Sequence, residues 1–272
     1  MSSPLPSELE REIVEAVVRA NYKNATVKLN LSLVAQRFHF WVDQVFYESV
    51  TIANHQEASK FLKLVDMKPA GFFATFVKAL TIYNDSTNSE TPASAILAVC
   101  TGVQLLKCWL WEVSILPAHL DQLLLRRLSM PLNLVVKSIN TTEPAWLLTL
   151  THLDVAVDVH EEDPDASSLA DILRRLPRLT NLALHFWADR LHHAAATCTS
   201  FPRLRVLVIF TQIEDLAEHG ALDPRIVLVP YTAAEHAETV QAARWGLPDF
   251  WTRAESIVDE RRVGLGATAQ PS

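Results

Sequence analysis

A short apolar phrase recurs along the middle of the chain: leucine, two other residues, a second leucine, one residue, and a third apolar residue. Clear copies begin at Leu150, Leu179 and Leu204. Looser copies begin at Val77, Leu106, Leu132 and Ile226. Because alternate residues of a strand point to the same side, each phrase predicts a short strand with one buried face. Amphipathic stretches between the phrases predict helices at 54–67, 92–100, 117–128, 167–176 and 213–219.

The phrases follow one another at about 24 residues on average, inside the roughly 20–29 residue period of leucine-rich repeats. One strand–helix unit cannot bury its apolar face alone, so neighbouring units must stack, and right-handed crossovers make the sheet parallel. The pattern therefore predicts an α/β fold, a short irregular leucine-rich-repeat-like solenoid with parallel strands. The alternative is a doubly wound α/β domain, which the recurring phrase and the lack of glycine-rich turns disfavour.

The two ends of the chain have a different pattern, which predicts helices only. Three helices are predicted within the first fifty residues, and two more at 233–245 and 248–263. The last has an apolar face, and we expect it to cap the final repeat, with 264–272 as a frayed tail. Residues 1–50 are thus predicted as a helical module, 51–230 as the solenoid and 231–272 as a C-terminal helical cap and tail. The residues of the apolar face are Phe250, Trp251, Ala254, Ile257 and Val258.

Composition narrows the function. With 24 Lys and Arg against 31 Asp and Glu, the formal net charge is −7, which argues against a nucleic-acid partner. The longest uncharged run, 91–106, is too short and too polar to span a bilayer. The N-terminus has no secretory pattern, and three cysteines without a CxxC pair indicate a reduced environment. We expect a cytoplasmic or nuclear protein that does not associate with membranes.

The sequence offers little for catalysis. It contains six glycines and no phosphate-binding loop, nucleophile elbow or HExxH motif. His192, His193 and Cys198, with His185 upstream, have poor spacing for a zinc site. The acidic run 161–165 lacks the glycine and the spacing of a calcium loop. We predict a protein that is not an enzyme and uses no metal or cofactor.

The N-terminal segment carries Leu5-Pro6, then Leu9 and Ile13, and later LSLVAQRF over 31–38 with a downstream tryptophan. It resembles an F-box over about residues 4–50, and is similar to the F-box-like proteins common in mushroom-forming fungi. The DFWxRAE segment at 249–255 is similar to the end of those proteins. Their linker is shorter and less polar than residues 22–28 here.

The resemblance implies a substrate receptor of a Skp–cullin–F-box ubiquitin ligase. In that family the F-box helices bind a Skp-type adaptor, and the C-terminal repeats bind a target protein. The residues that match the family's adaptor-facing and supporting positions are Leu5, Pro6, Leu9, Ile13, Leu33 and Val34. The alternative is that these side chains only form the core of a helical end cap and bind no adaptor.

Strand positions that alternate away from the core are candidates for binding the target, since they mix aromatic, amide, imidazole and carboxylate groups. They are Tyr83, Asn133, His152, Asp154, Asp158, Asn181, His185 and Phe210, with Cys108 and Leu110 assigned to the same face. Three interpretations remain open: a receptor that joins adaptor and target, a repeat scaffold that binds no adaptor, and an α/β enzyme with an unrecognised site.

Overall fold

Eight short strands form one open sheet in chain order, and every neighbouring pair is parallel. The strands are β1 Ser49–Ile52, β2 Ala79–Tyr83, β3 Leu105–Trp109, β4 Arg127–Pro131, β5 His152–Ala156, β6 Asn181–His185, β7 Val206–Thr211 and β8 Ile226–Pro230. This computed structural model describes residues 5–21, 24–83, 93–109, 119–141, 144–156, 166–185, 197–211, 223–230 and 248–268. The predicted α/β class with parallel strands is confirmed.

Helices precede the sheet, connect its strands and follow it. The α-helices are α1 Ser7–Ala20, α2 Ala25–Val34, α3 Gln36–Tyr47, α4 His55–Val65, α5 Phe72–Phe76, α6 Ala93–Val99, α7 Leu132–Thr141, α8 Ala166–Arg174 and α9 Phe250–Thr268. A 3-10 helix spans Ala145–Leu148. The three predicted N-terminal helices are confirmed, as are those expected at 54–67, 92–100 and 167–176 wherever the structure describes them. The helices predicted at 213–219 and 233–245 lie outside the described residues.

One buried apolar position is in register across all eight strands. In register order its residues are Val50, Leu80, Leu106, Leu128, Leu153, Leu182, Leu207 and Ile226. All eight are buried in one apolar core. This register places the phrase copies of β3 and β4 at Val103-x-x-Leu106-x-Cys108 and Leu125-x-x-Leu128-x-Met130. The expected copies that begin at Leu106 and Leu132 are therefore wrong, and Cys108 faces this core rather than the other side of the sheet.

Residues 126–136 contain the clearest corrections. The helix predicted at 117–128 is wrong at its end, because Arg127 already belongs to β4. The strand predicted from Leu132 is the helix α7. Leu132, Val135 and Ile139 recur at helical spacing and are all buried, while Leu128 and Met130 supply the inward face of the strand. Asn133 therefore lies on a helix.

Successive units enter the sheet through the same backbone contact. The carbonyl oxygen of Glu48 accepts hydrogen bonds from the backbone N–H groups of Lys78 and Ala79, at 2.8 and 3.0 Å. The carbonyls of Lys78, Gln104, Arg126, Thr151 and Thr180 each accept two hydrogen bonds from the next unit in the same way. This contact satisfies backbone donors at the start of each strand, whatever side chains the unit carries.

The two faces of the sheet are covered differently. On the first face, Phe61 of α4, Ile96 of α6, Ile172 of α8 and Trp146 of the 3-10 helix share one core with the inward strand residues. On the second face, α9 packs four of the five residues of its predicted apolar face against β6–β8, whereas the fifth, Ile257, is exposed. That core contains Ala183, Val206, Val208, Phe210, Val227, Phe250, Trp251, Ala254 and Val258. Helix α9 also runs to Thr268, so the tail expected from residue 264 is helical over its first five residues.

Candidate functional site

Helices α1–α3 have a small core of their own. Val14 and Val18 of α1 pack with Val42 and Val45 of α3. Arg37 also binds Glu10 through two hydrogen bonds, at 2.9 and 3.1 Å. The fully buried part of this core thus consists of valines, and Leu31, Phe38 and Trp41 pack against it partly buried.

All six residues predicted to face an adaptor are exposed. Leu9 and Ile13 lie one turn apart on α1, with Leu5 and Pro6 just before it, and Leu33 and Val34 end α2. Helix α2 buries none of its residues, although it carries three leucines and two valines. Leu29, one turn before Leu33, is exposed as well. Sequence reasoning missed it, although its spacing of four residues from Leu33 was a readable signal. These residues are called the helical apolar set: Leu5, Leu9, Ile13, Leu29, Leu33 and Val34.

The helical module is joined to the sheet region by aromatic rings and two ion pairs, one of which links Asp43 of α3 to Lys68. Tyr47 of α3 meets Phe72 and Phe73 edge-on, with ring centroids 5.7 and 5.3 Å apart. Arg19 of α1 pairs with Glu48 at 2.6 Å. Strand β1 begins at Ser49, directly after this junction.

Six of the eight residues predicted to bind a target lie on strands, and their register places them on the second face. They are Tyr83, His152, Asp154, Asn181, His185 and Phe210. Asp154, Asn181, His185 and Phe210 are nevertheless buried. Asn133 lies on α7, and Asp158, like Leu110, lies outside the described residues. The prediction thus assigned these residues to the correct face of the sheet, but it did not anticipate that other parts of the protein bury four of them.

Asp154 is the centre of a buried polar network. Its Oδ1 lies 2.6 Å from Nε2 of His185, and its Oδ2 accepts a hydrogen bond from the hydroxyl of Ser129 at 2.7 Å. Lys107 lies on β3, two strands from Asp154, and is buried; this burial lowers its pKa to about 8 against the opposing effect of the Asp154 charge. The ammonium group lies 5.3 Å from the ring centroid of Trp109. Sequence reasoning missed Lys107 and Ser129, whose positions on the strands put them on this face.

Polar contacts tie α9 to the second face along its length. Asp249, just before the helix, accepts from the backbone N–H and the hydroxyl of Thr252, both at 2.8 Å, and so caps the helix. Its other oxygen pairs with Arg127 at 2.6 Å. Further along, Asn181 donates to Glu255 at 2.9 Å. Apolar packing and polar contacts therefore both fix the position of α9 on the second face of the sheet.

His152 lies beneath this helix and is held neutral. Burial, and then the charge of Arg127, lower the pKa of His152 to about 4. The Thr151 hydroxyl donates to the carbonyl of Arg126 at 3.0 Å, so at His152 Nδ1, 2.8 Å away, it acts as acceptor. His152 therefore carries its proton on Nδ1. Its ring also meets Trp251 edge-on at 5.1 Å.

A cleft of about 60 Å³ opens between β3–β5 and the first turn of α9. Apolar atoms dominate its lining, while Lys107, Ser129 and Asp154 supply the polar groups near its base. The described residues that line it are Leu105, Leu106, Lys107, Arg127, Leu128, Ser129, His152, Asp154, Asp249, Phe250 and Trp251. The apolar part of this site was not predicted, because it exists only where α9 meets the sheet.

Within the described ranges, no three His, Cys, Asp or Glu side chains converge to form a metal site. Cys198 is buried, and burial raises its pKa to about 12; His192 and His193 lie outside these ranges. No described helix is both long and apolar enough to cross a membrane. A scan against protein-family models matches no family, and a search of curated proteins finds no match.

Proposed function

We propose that this chain is a non-catalytic substrate receptor of a Skp–cullin–F-box ubiquitin ligase. Its N-terminal helices bind the Skp-type adaptor, and its repeat sheet binds a target protein. The chain then acts by raising the effective concentration of the target near the ligase, which supplies the chemistry.

The observation that carries this proposal is the exposure of the helical apolar set. If α1–α3 were only an end cap, most of their leucines would be expected in a core; instead four valines form the core, with Leu31 packed partly buried against it. Leu5, Leu9, Leu29 and Leu33 are exposed. Clustered apolar side chains on a protein surface mark interaction sites. Five of the six positions of the helical apolar set, all except Leu29, are among those that the F-box resemblance assigns to adaptor contact.

The leucine-rich-repeat-like part of the proposal rests on the sheet. In a doubly wound domain the strand order reverses at a switch point, whereas here it follows the chain from β1 to β8. The two-donor contact at each strand entry repeats as expected for stacked units.

The cleft beside α9 brings titratable groups together, which is the feature that favours the enzyme alternative. Its two carboxylates, however, already accept hydrogen bonds from the protein. Asp154 accepts from Ser129 and contacts His185, and Asp249 binds Thr252 and Arg127. These groups stabilise the junction of helix and sheet, and so favour the receptor over an enzyme.

The deciding experiment is calorimetric titration of the full chain with a Skp-type adaptor. The double variant Leu5→Ala with Leu9→Ala is expected to weaken binding by about 2–4 kcal/mol, since each buried leucine contributes roughly 1.5–3 kcal/mol. This equals roughly 30- to 1,000-fold in affinity. Melting temperature should change little, because both side chains are exposed in the free chain.

Leu148→Ala is the control, because Leu148 is also an exposed leucine but lies on the 3-10 helix. It should bind the adaptor like the wild type. If the wild-type chain binds no adaptor, or if the double variant binds equally well, the scaffold that works without an adaptor is the correct interpretation.

A further inference from the structure

Arg127 gives the cleft beside α9 a group that recognises anions. Its side chain is 36% exposed, and its Nη1 donates to Asp249. A guanidinium has five N–H donors, and among the described residues Asp249 is the acceptor that Arg127 binds. Arg126, next in the chain, and Arg253, within the first turn of α9, are exposed as well. Arg127 is thus a partly exposed cation in the lining of the cleft, whereas the carboxylates of Asp154 and Asp249 are buried. The carboxylate of Glu255, 3.8 Å from His152, is 33% exposed.

The apolar part of the cleft sets the size of its occupant. Leu105, Leu128, Phe250 and Trp251 supply apolar walls. A volume of about 60 Å³ is well below the roughly 150 Å³ of an apolar cavity that holds benzene. The enclosed part of the cleft therefore suits an aliphatic side chain better than an aromatic ring.

A ligand of this cleft must place an anionic group and an aliphatic group close together, because Arg127 itself lines the cleft. In an extended peptide, neighbouring side chains point to opposite sides, and side chains two residues apart are separated by roughly 7 Å. An internal acidic residue next to the aliphatic one therefore does not reach Arg127. The last residue of a polypeptide carries its side chain and a carboxylate on one Cα atom, and so satisfies both.

We propose that the cleft between β3–β5 and α9 binds the free C-terminus of a target protein, with the aliphatic side chain of its last residue inside and its carboxylate on Arg127. This proposal rests on the proposed function, since it assigns the class of target that the receptor recognises. Capture of a C-terminal carboxylate is one of the recurring modes of peptide recognition.

The test is selection of a random peptide library, displayed with free C-termini, on the immobilised full chain. Enriched peptides are expected to end in Val, Leu, Ile or Ala. The best peptide is then synthesised as the free acid and as the C-terminal amide, labelled at its N-terminus, and titrated by fluorescence anisotropy. The amide is expected to bind at least tenfold more weakly, and this comparison requires no change in the protein.

Two variants and one control locate the site. Arg127→Gln should weaken binding of the acid about tenfold and leave binding of the amide unchanged. Leu105→Trp, which fills the cleft without removing a polar contact, should abolish binding of both. Arg174→Gln changes an exposed arginine of α8 that pairs with Asp171, and should bind like the wild type. Thermal melts of all three report whether the fold is kept.

Several outcomes contradict the proposal: no enrichment, an amide that binds within twofold of the acid, or peptides that still bind Leu105→Trp. Adaptor affinity is measured on the same variants and is expected to stay at the wild-type value, because the helical apolar set is unchanged. A failure to bind C-terminal peptides thus does not contradict the proposed binding of the adaptor. Absence of adaptor binding, in turn, does not alter the peptide result.

Discussion

In the sheet, the phrase leucines are buried under helices. In α1–α3 four valines form the core with Leu31 partly buried against it, whereas Leu9, Leu29 and Leu33 are exposed. Polar contacts differ in the same way. Asp154 lies in a buried network, while the Arg37–Glu10 pair of the helices is exposed. The sheet region is built to be stable by itself. The helical module has a small core of its own and leaves the helical apolar set exposed.

The largest expected effect breaks the buried network of the sheet. Asp154→Ala removes the acceptor of Ser129 and His185 and the negative charge that favours the protonated form of buried Lys107, so a loss of about 3–5 kcal/mol in the free energy of unfolding is expected. Urea denaturation measures it. The control is Asp171→Ala, whose side chain is 70% exposed, and which should stay within about 0.5 kcal/mol of the wild type. Equal losses in both variants would show that the buried network stabilises the fold no more than an exposed carboxylate does.

The second prediction applies one substitution to both regions. Leu182→Ala, at a fully buried position (0% exposed), should cost about 2–5 kcal/mol, because it removes transfer energy and leaves a cavity. Leu33→Ala, at 75% exposure, should cost less than about 0.5 kcal/mol. Both are measured by urea denaturation of the full chain. A large loss for Leu33→Ala would place α2 in the core and contradict the proposed adaptor surface.

Sequence reasoning succeeded where one local period decides the structure. The phrases at Leu150, Leu179 and Leu204 gave the strands, their inward residues and the parallel class. It failed at β3 and β4, because Cys108 and Met130 replace leucine in the phrase and the run Leu123–Leu125 resembles a helix. The alternation of apolar and polar residues along the strands identified the second face, but it did not show that α9 covers part of it. Nothing local to β5 or β6 indicates that Trp251, some seventy residues or more away in the chain, packs there. The apolar face of α9 did show that it needs a surface.

The third prediction concerns pH. His152 has a pKa of about 4 in the folded chain and about 6.5 when unfolded. Above about pH 6.5 it is neutral in both states; between about 6.5 and 4 only the unfolded state gains the proton. Stability should therefore fall as pH falls through this window, by ~3 kcal/mol in total. Urea denaturation at pH 7 and pH 4.5 should show a smaller difference for His152→Gln than for the wild type. His55→Gln, at an exposed position, should behave like the wild type, and an unchanged slope in His152→Gln would contradict the assignment.

The fourth prediction separates the two regions. A fragment that begins at Glu48 should still fold, because every strand and the sheet core remain. It should lose ~2 kcal/mol, since the contacts of Tyr47 with Phe72 and Phe73 disappear and each aromatic pair contributes about 0.5–1.5 kcal/mol. Circular dichroism and urea denaturation test both statements. An unfolded fragment would show that α1–α3 are part of the sheet's folding unit and would contradict the predicted division of the chain.

The smallest expected effect concerns the ion pair at the junction of the two regions. Arg19 and Glu48 lie 2.6 Å apart, with 37% and 39% of their side chains exposed. Exposed pairs of this kind contribute about 0.2–1 kcal/mol, because water competes for both charges and two long side chains must be ordered. A double-mutant cycle with Arg19→Met and Glu48→Gln should give a coupling energy in this range, which 1 M salt should largely remove. A coupling above about 2 kcal/mol that survives salt would mean that the charges are desolvated. In that case the helical module and the sheet are held together by the ion pair, and not by the rings of Tyr47, Phe72 and Phe73.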